Sequence, residues 1–178
     1  MCRWRFIRIG CGTVAGVLLL LVGLGLWLWA SQRAADRAFE RLLAGDRDVA
    51  VVFVDVEIPR VGGNVKVSLK DAAATSYLSE MLRSSLVVFS RNANRVKVVL
   101  EKPYWAELGP THYAYVRLST GGVVKCSLDV AKKEDHLVVS FPINTFHDPV
   151  VYLVALKTPI PPSLSSFFAQ IRVLHGDQ

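Results

Sequence analysis

From Ile9 to Gln32 the chain runs for 24 residues without a charged side chain. As an α-helix at about 1.5 Å per residue that stretch is roughly 36 Å long, enough to cross a hydrocarbon layer of roughly 30 Å. Seven leucines fall between Leu18 and Leu28, and no face of such a helix is polar. A helix apolar all round belongs in a deep core or in a bilayer. The sequence therefore predicts a single transmembrane helix over 9–32, with the lipid bilayer as its first partner. Trp27 and Trp29 at one end and Trp4 near the other suit the two membrane interfaces, where amphipathic rings settle. Gly12 and Gly16 form a small-xxx-small pair that would let a second helix approach.

A cleaved signal peptide is the rival reading: a basic start, an apolar middle and Ala30 as the cleavage point. The apolar run exceeds a usual signal core, and bulky Trp27-Leu28-Trp29 stands where cleavage wants small residues. An uncleaved anchor is the expectation, with release near Ala30 as the alternative. Arg3, Arg5 and Arg8 precede the span, and Arg33, Arg37 and Arg41 follow it. A short basic tail (residues 1–8) resists translocation, whereas a large C-terminal domain crosses largely regardless of charge. The expected topology is single-pass, N-terminus cytoplasmic and C-terminal domain extracytoplasmic, as in a cell-envelope protein.

The net charge of +6 does not point to nucleic acid. With the three leading arginines set aside, 18 Lys/Arg oppose 15 Asp/Glu, mixed along the chain. A nucleic-acid binder gathers its cations into a patch or stripe. Cys2 and Cys11 lie in or before the span, so Cys126 has no disulfide partner in the domain and reads as a small buried hydrophobe.

Beyond the span, Ala35, Ala38, Phe39, Leu42 and Leu43 make one apolar stripe on a juxtamembrane helix over 33–45, closed by Gly45. Packing on the chain's own domain or pairing with a second copy would cover that stripe. Over 46–178 the periodicity switches mainly to two. A hairpin is expected from Ala50, Val52, Val54, Val56 and Ile58 on one face of its first strand, then Val65, Val67 and Leu69, with acidic and basic residues meeting across it. Asp71 caps a helix carrying Ala74, Tyr77, Leu78, Met81 and Leu82. Strands follow near 86–89, 96–100, 111–118, 123–130, 136–141 and 150–156. Ser163 is expected to cap a last helix that faces Leu164, Phe167, Phe168 and Ile171 inward. The fold class is α+β, a mostly antiparallel sheet with packed helices.

No nucleophile elbow, P-loop or Rossmann glycine pattern occurs. The four histidines, His112, His136, His147 and His175, show no metal-ligand spacing, so neither metal nor cofactor is expected. Glu134, Asp135 and His136 fall in a charged turn, where neighbours point apart. Tyr104 and Trp105, in a long connection, are the best candidates for a partner surface, since such rings give contact area at low entropic cost. A binding or assembly module with a protein partner or self-association is the expectation. A ligand-binding domain or enzyme is the alternative, which would need a pocket lined by convergent polar groups.

Overall fold

The computed structural model describes residues 3–89, 112–130, 136–141 and 150–176. It divides into two compact units, residues 1–34 and 35–178. Helix α1 runs from Arg3 to Leu43 and spans that division. Strands β1 (Val51–Arg60) and β2 (Gly63–Leu69) follow, then α2 (Ala72–Arg83) and β3 (Leu86–Phe89). Strands β4 (His112–Leu118), β5 (Val123–Val130), β6 (His136–Phe141) and β7 (Val150–Ala155) lead to α3 (Pro162–Gly176). The expected strand at 96–100 lies outside the described residues.

The seven strands form one sheet in the order β2-β1-β4-β5-β6-β7-β3, every neighbouring pair antiparallel. The domain is α+β. Helix α2 takes the chain from the β2 edge to β3 at the opposite edge. Strand β7 lies between β6 and β3.

One face of the sheet carries Val54, Val56, Ile58, Val67, Leu69, Ala114, Val116, Val124 and Cys126, all buried. The helices close this face. Ala35, Ala38, Phe39 and Leu42 of α1 are buried in the same core, with Leu43 packed against it. The stripe on α1 is thus covered by its own domain. From α3 come Leu164, Phe167, Phe168 and Ile171. Gly45, at φ +95, ends α1: its N–H donates to the Leu42 carbonyl and the Asp46 N–H to that of Arg41.

The hairpin departs from the expected phase at one place. The β1–β4 register shifts between Val51 and Phe53, so Val52 is an extra residue and stands 47% exposed. Val49 and Val51 enter the core instead. The bulge is held by Ser79 of α2, whose hydroxyl accepts from the Val51 N–H at 2.9 Å and donates to the Thr75 carbonyl at 2.8 Å. Pro59 pairs with Asn64 inside the ladder. Its missing N–H is tolerated because β1 meets β4 only as far as Glu57.

Asp71 caps α2 as expected, its carboxylate accepting from the Ala74 N–H at 2.9 Å. Ser163 does not cap α3. It sits inside the first turn and donates its hydroxyl to Asp71 at 2.8 Å, tying α3 to the start of α2.

Candidate functional site

In the first unit, α1 presents an uninterrupted apolar surface. Twelve large side chains from Val14 to Trp29 are each 52–75% exposed, Trp27 and Trp29 among them. The helix is long and apolar enough to cross a membrane. The Arg33 guanidinium lies 4.2 Å from the centre of the Trp29 ring, so the first cation after the apolar run stacks on the last aromatic within it. Trp4 and Gly12 fall within α1, and an added Cβ at Gly16 would meet nothing within 4 Å.

The interior of the second unit holds a small apolar cavity. Its cavity, of about 30 Å³, lies among Phe39, Val54, Leu82, Cys126, Phe167 and Phe168. Every lining side chain is apolar, so a water there would find no partner. Cys126 is 1% exposed, and burial pushes its thiol up to about 12. The thiol therefore stays protonated at neutral pH, and no polar side chain lines this cavity.

The opposite face of the sheet is polar and aromatic. Asp55, only 8% exposed, accepts from the Ser68 hydroxyl at 2.5 Å and pairs with Lys66 at 2.9 Å. Burial raises the Asp55 carboxyl, but Ser68 and Lys66 outweigh it and hold the group below the usual carboxylate range. The same pairing raises Lys66. Across β1 and β4 the Tyr115 hydroxyl donates to Glu57 at 3.2 Å. Lys125 lies 4.0 Å over the Tyr113 ring, and Arg117 lies 4.9 Å over Phe53. Acidic and basic residues do meet across the hairpin. Because each has a neighbour on the sheet, the arrangement reads as cross-strand stabilisation rather than an acid/base pair. No group of three or more metal-ligating side chains occurs among the described residues.

At one end of the strand order, β2 is an edge. Beside it a groove of about 540 Å³ runs between β2 and α3, lined by Val65, Val67, Ala169, Gln170, Val173 and Leu174, with Lys66 and Ser68 on the strand. Val173 is 64% exposed, an apolar side chain standing in the groove wall. Nothing in the sequence brings β2 and α3 together, about a hundred residues apart. The alternation of Val65 and Val67 and the apolar last turn of α3 are the only traces of it there.

Tyr104 and Trp105, and with them Glu134 and Asp135, lie outside the described residues. His112, the first residue of β4, is buried. Comparison of the chain with protein-family models, curated proteins and solved structures found no match to any of them.

Proposed function

We propose that this chain is a single-pass, membrane-anchored envelope protein whose α+β domain serves as a binding or assembly module. The observation that carries the reading is the exposed apolar surface of α1 from Val14 to Trp29. Left in water, each of these large side chains forgoes about 1.5–3 kcal/mol of burial. A bilayer supplies that burial along the whole length of the helix. On this reading Trp27 and Trp29 lie at one interface and Trp4 near the other. Arg3, Arg5 and Arg8 keep the N-terminus cytoplasmic, and the domain is extracytoplasmic.

Two observations favour a binding module over a ligand pocket or an enzyme. The core is filled by Val, Leu and Phe around a small apolar cavity, and the polar groups of the open sheet face engage one another. What remains for recognition is surface. Alkaline carbonate extraction of membranes from cells expressing the full chain tests the anchor. The protein should stay in the pellet, and Leu20→Arg with Leu21→Arg should move it to the supernatant. A wild-type chain extracted with the peripheral proteins would overturn the anchor.

A further inference from the structure

We propose that Trp29 and Arg33 together hold the phosphate diester of a phospholipid in the leaflet next to the domain, the guanidinium resting on the indole and donating N–H groups to the phosphate oxygens. The proposal rests on the membrane-anchor reading, names a ligand for the end of that anchor, and holds for either orientation of the chain. The first observation is the pair itself. The Arg33 guanidinium carbon lies over the Trp29 ring, 4.2 Å from its centre. A guanidinium held over a ring by its charge makes no hydrogen bond to an oxygen there, so its five N–H donors stay available. Two of them, side by side in one plane, match the oxygens of a phosphate. The ring also fixes the long side chain before a ligand arrives, so less freedom is lost on binding.

The second observation is the charge of Arg33. Arg41 pairs with Asp46 at 2.6 Å, Lys66 with Asp55 at 2.9 Å and Arg83 with Glu80 at 2.5 Å. Arg33 is exposed and enters no salt bridge among the described residues; the Trp29 ring is its contact. The nearby Ser31 hydroxyl is turned back on the helix, donating to the Leu28 carbonyl at 2.8 Å. The cation is thus positioned by an aromatic ring and not neutralised by a carboxylate.

The third is depth, and it decides the occupant. Four helical residues separate Trp29 from Arg33, about 6 Å along the axis. A bilayer of roughly 40–45 Å around a hydrocarbon core of roughly 30 Å carries a headgroup layer of roughly 5–8 Å on each side. With Trp29 at the edge of the hydrocarbon, Arg33 lies within that layer, where lipid phosphates are the abundant oxyanions. Its side chain leans back toward Trp29, in the direction that helical side chains take. Arg37, exposed one turn farther along α1, stands about 12 Å beyond Trp29 and past the layer.

The test uses the full-length chain, isotope-labelled at the guanidinium carbon of arginine, in phosphatidylcholine–phosphatidylglycerol vesicles. Solid-state NMR reads the dipolar dephasing of that carbon by lipid phosphorus. Arg33→Lys deletes the label at this one position, so the signals of the other arginines, Arg3, Arg5 and Arg8 among them, cancel in the difference between the two chains. That difference should report a carbon–phosphorus distance of about 4 Å, which N–H···O bonds of about 2.8 Å impose. Trp29→Leu keeps the cation and the apolar surface but removes the ring, and should reduce the same dephasing. Arg37→Lys should leave it as in the wild type. In galactolipid vesicles bathed in inorganic phosphate, Arg33 should show none. Equal dephasing in the wild type and Arg33→Lys, no effect of Trp29→Leu, a loss as large in Arg37→Lys, or dephasing by inorganic phosphate would each overturn the proposal. Carbonate extraction of the same vesicles separates its failure from that of the anchor. A wild-type chain in the pellet without Arg33 dephasing discards the phosphate site and keeps the anchor. A chain in the supernatant discards both.

Discussion

Replacing Gly122 by alanine should destabilise the second unit far more than its place in a surface hairpin suggests. A Cβ built on Gly122 would lie 2.6 Å from the Cβ of Ala35 and 2.9 Å from its Cα. Carbon atoms rest about 3.5–4.0 Å apart, so the new methyl overlaps the helix by about an ångström. Rotation of a side chain gives no relief, because the obstacles are the Ala35 Cβ, which has no rotamer to change, and the Cα behind it. Nor is either partner free to retreat. Ala35 is 3% exposed. The turn is tied by Leu118 N–H to the Gly122 carbonyl at 2.9 Å, and by Ser119 N–H to the Ala50 carbonyl at 2.8 Å. Overpacking of this kind costs about 1–3 kcal/mol. For a domain of this size that corresponds to a fall in Tm of about 4–12 °C. The assay is thermal unfolding of the full chain in detergent, followed by near-ultraviolet circular dichroism. Ala35→Gly alone should cost about 1 kcal/mol through helix propensity. Combined with Gly122→Ala it removes the nearer clash, so the double variant should lose less than the two single losses together by at least about 0.5 kcal/mol. A neutral Gly122→Ala, or strict additivity with Ala35→Gly, would refute the packing of the β4–β5 turn on α1.

Ser79→Ala removes the hydroxyl shared by the Val51 N–H and the Thr75 carbonyl. The orphaned buried N–H should cost about 1–3 kcal/mol in urea unfolding, and a loss under about 0.5 kcal/mol would count against the account of the bulge. Asp55 is held below the usual range, so its contribution is present above about pH 4 and is lost as the pH falls through its folded value. Asp55→Asn should flatten the fall in stability on acidification; an unchanged slope would show that the Lys66 and Ser68 contacts carry nothing. In a chain with Cys2→Ser and Cys11→Ser, Cys126 should resist N-ethylmaleimide when folded and react once unfolded. With its thiol raised to about 12, its contribution is complete below about pH 8.5 and declines as the pH rises above that. Cys126→Ala should reduce this alkaline loss, and rapid labelling of the folded chain would contradict the burial.

Periodicity carries most of the legible fold. Asp71 with Ala74, Leu78, Met81 and Leu82 spells α2 and its cap, and the 3.6 spacing of Phe39 and Leu42 finds the buried face of α1. Strands β3 to β7 stand close to where alternation and turn residues put them. What was not legible depends on partners distant in the chain. Alternation assigns Val52 to the core, but a serine on another helix holds the bulge that turns it out. Ser163 resembles a helix cap until Asp71 competes for its hydroxyl. The groove beside β2 follows from strand order, and strand order is set by which hairpins share the sheet.

The central claim, an uncleaved anchor holding the domain outside the cytoplasm, is tested most directly by protease treatment of intact spheroplasts, followed by intact-mass measurement of the membrane fraction. The account predicts the full-length mass in untreated membranes, and loss of the domain when protease is added outside. A soluble product beginning at Ser31, or a domain digested only after lysis, would contradict it.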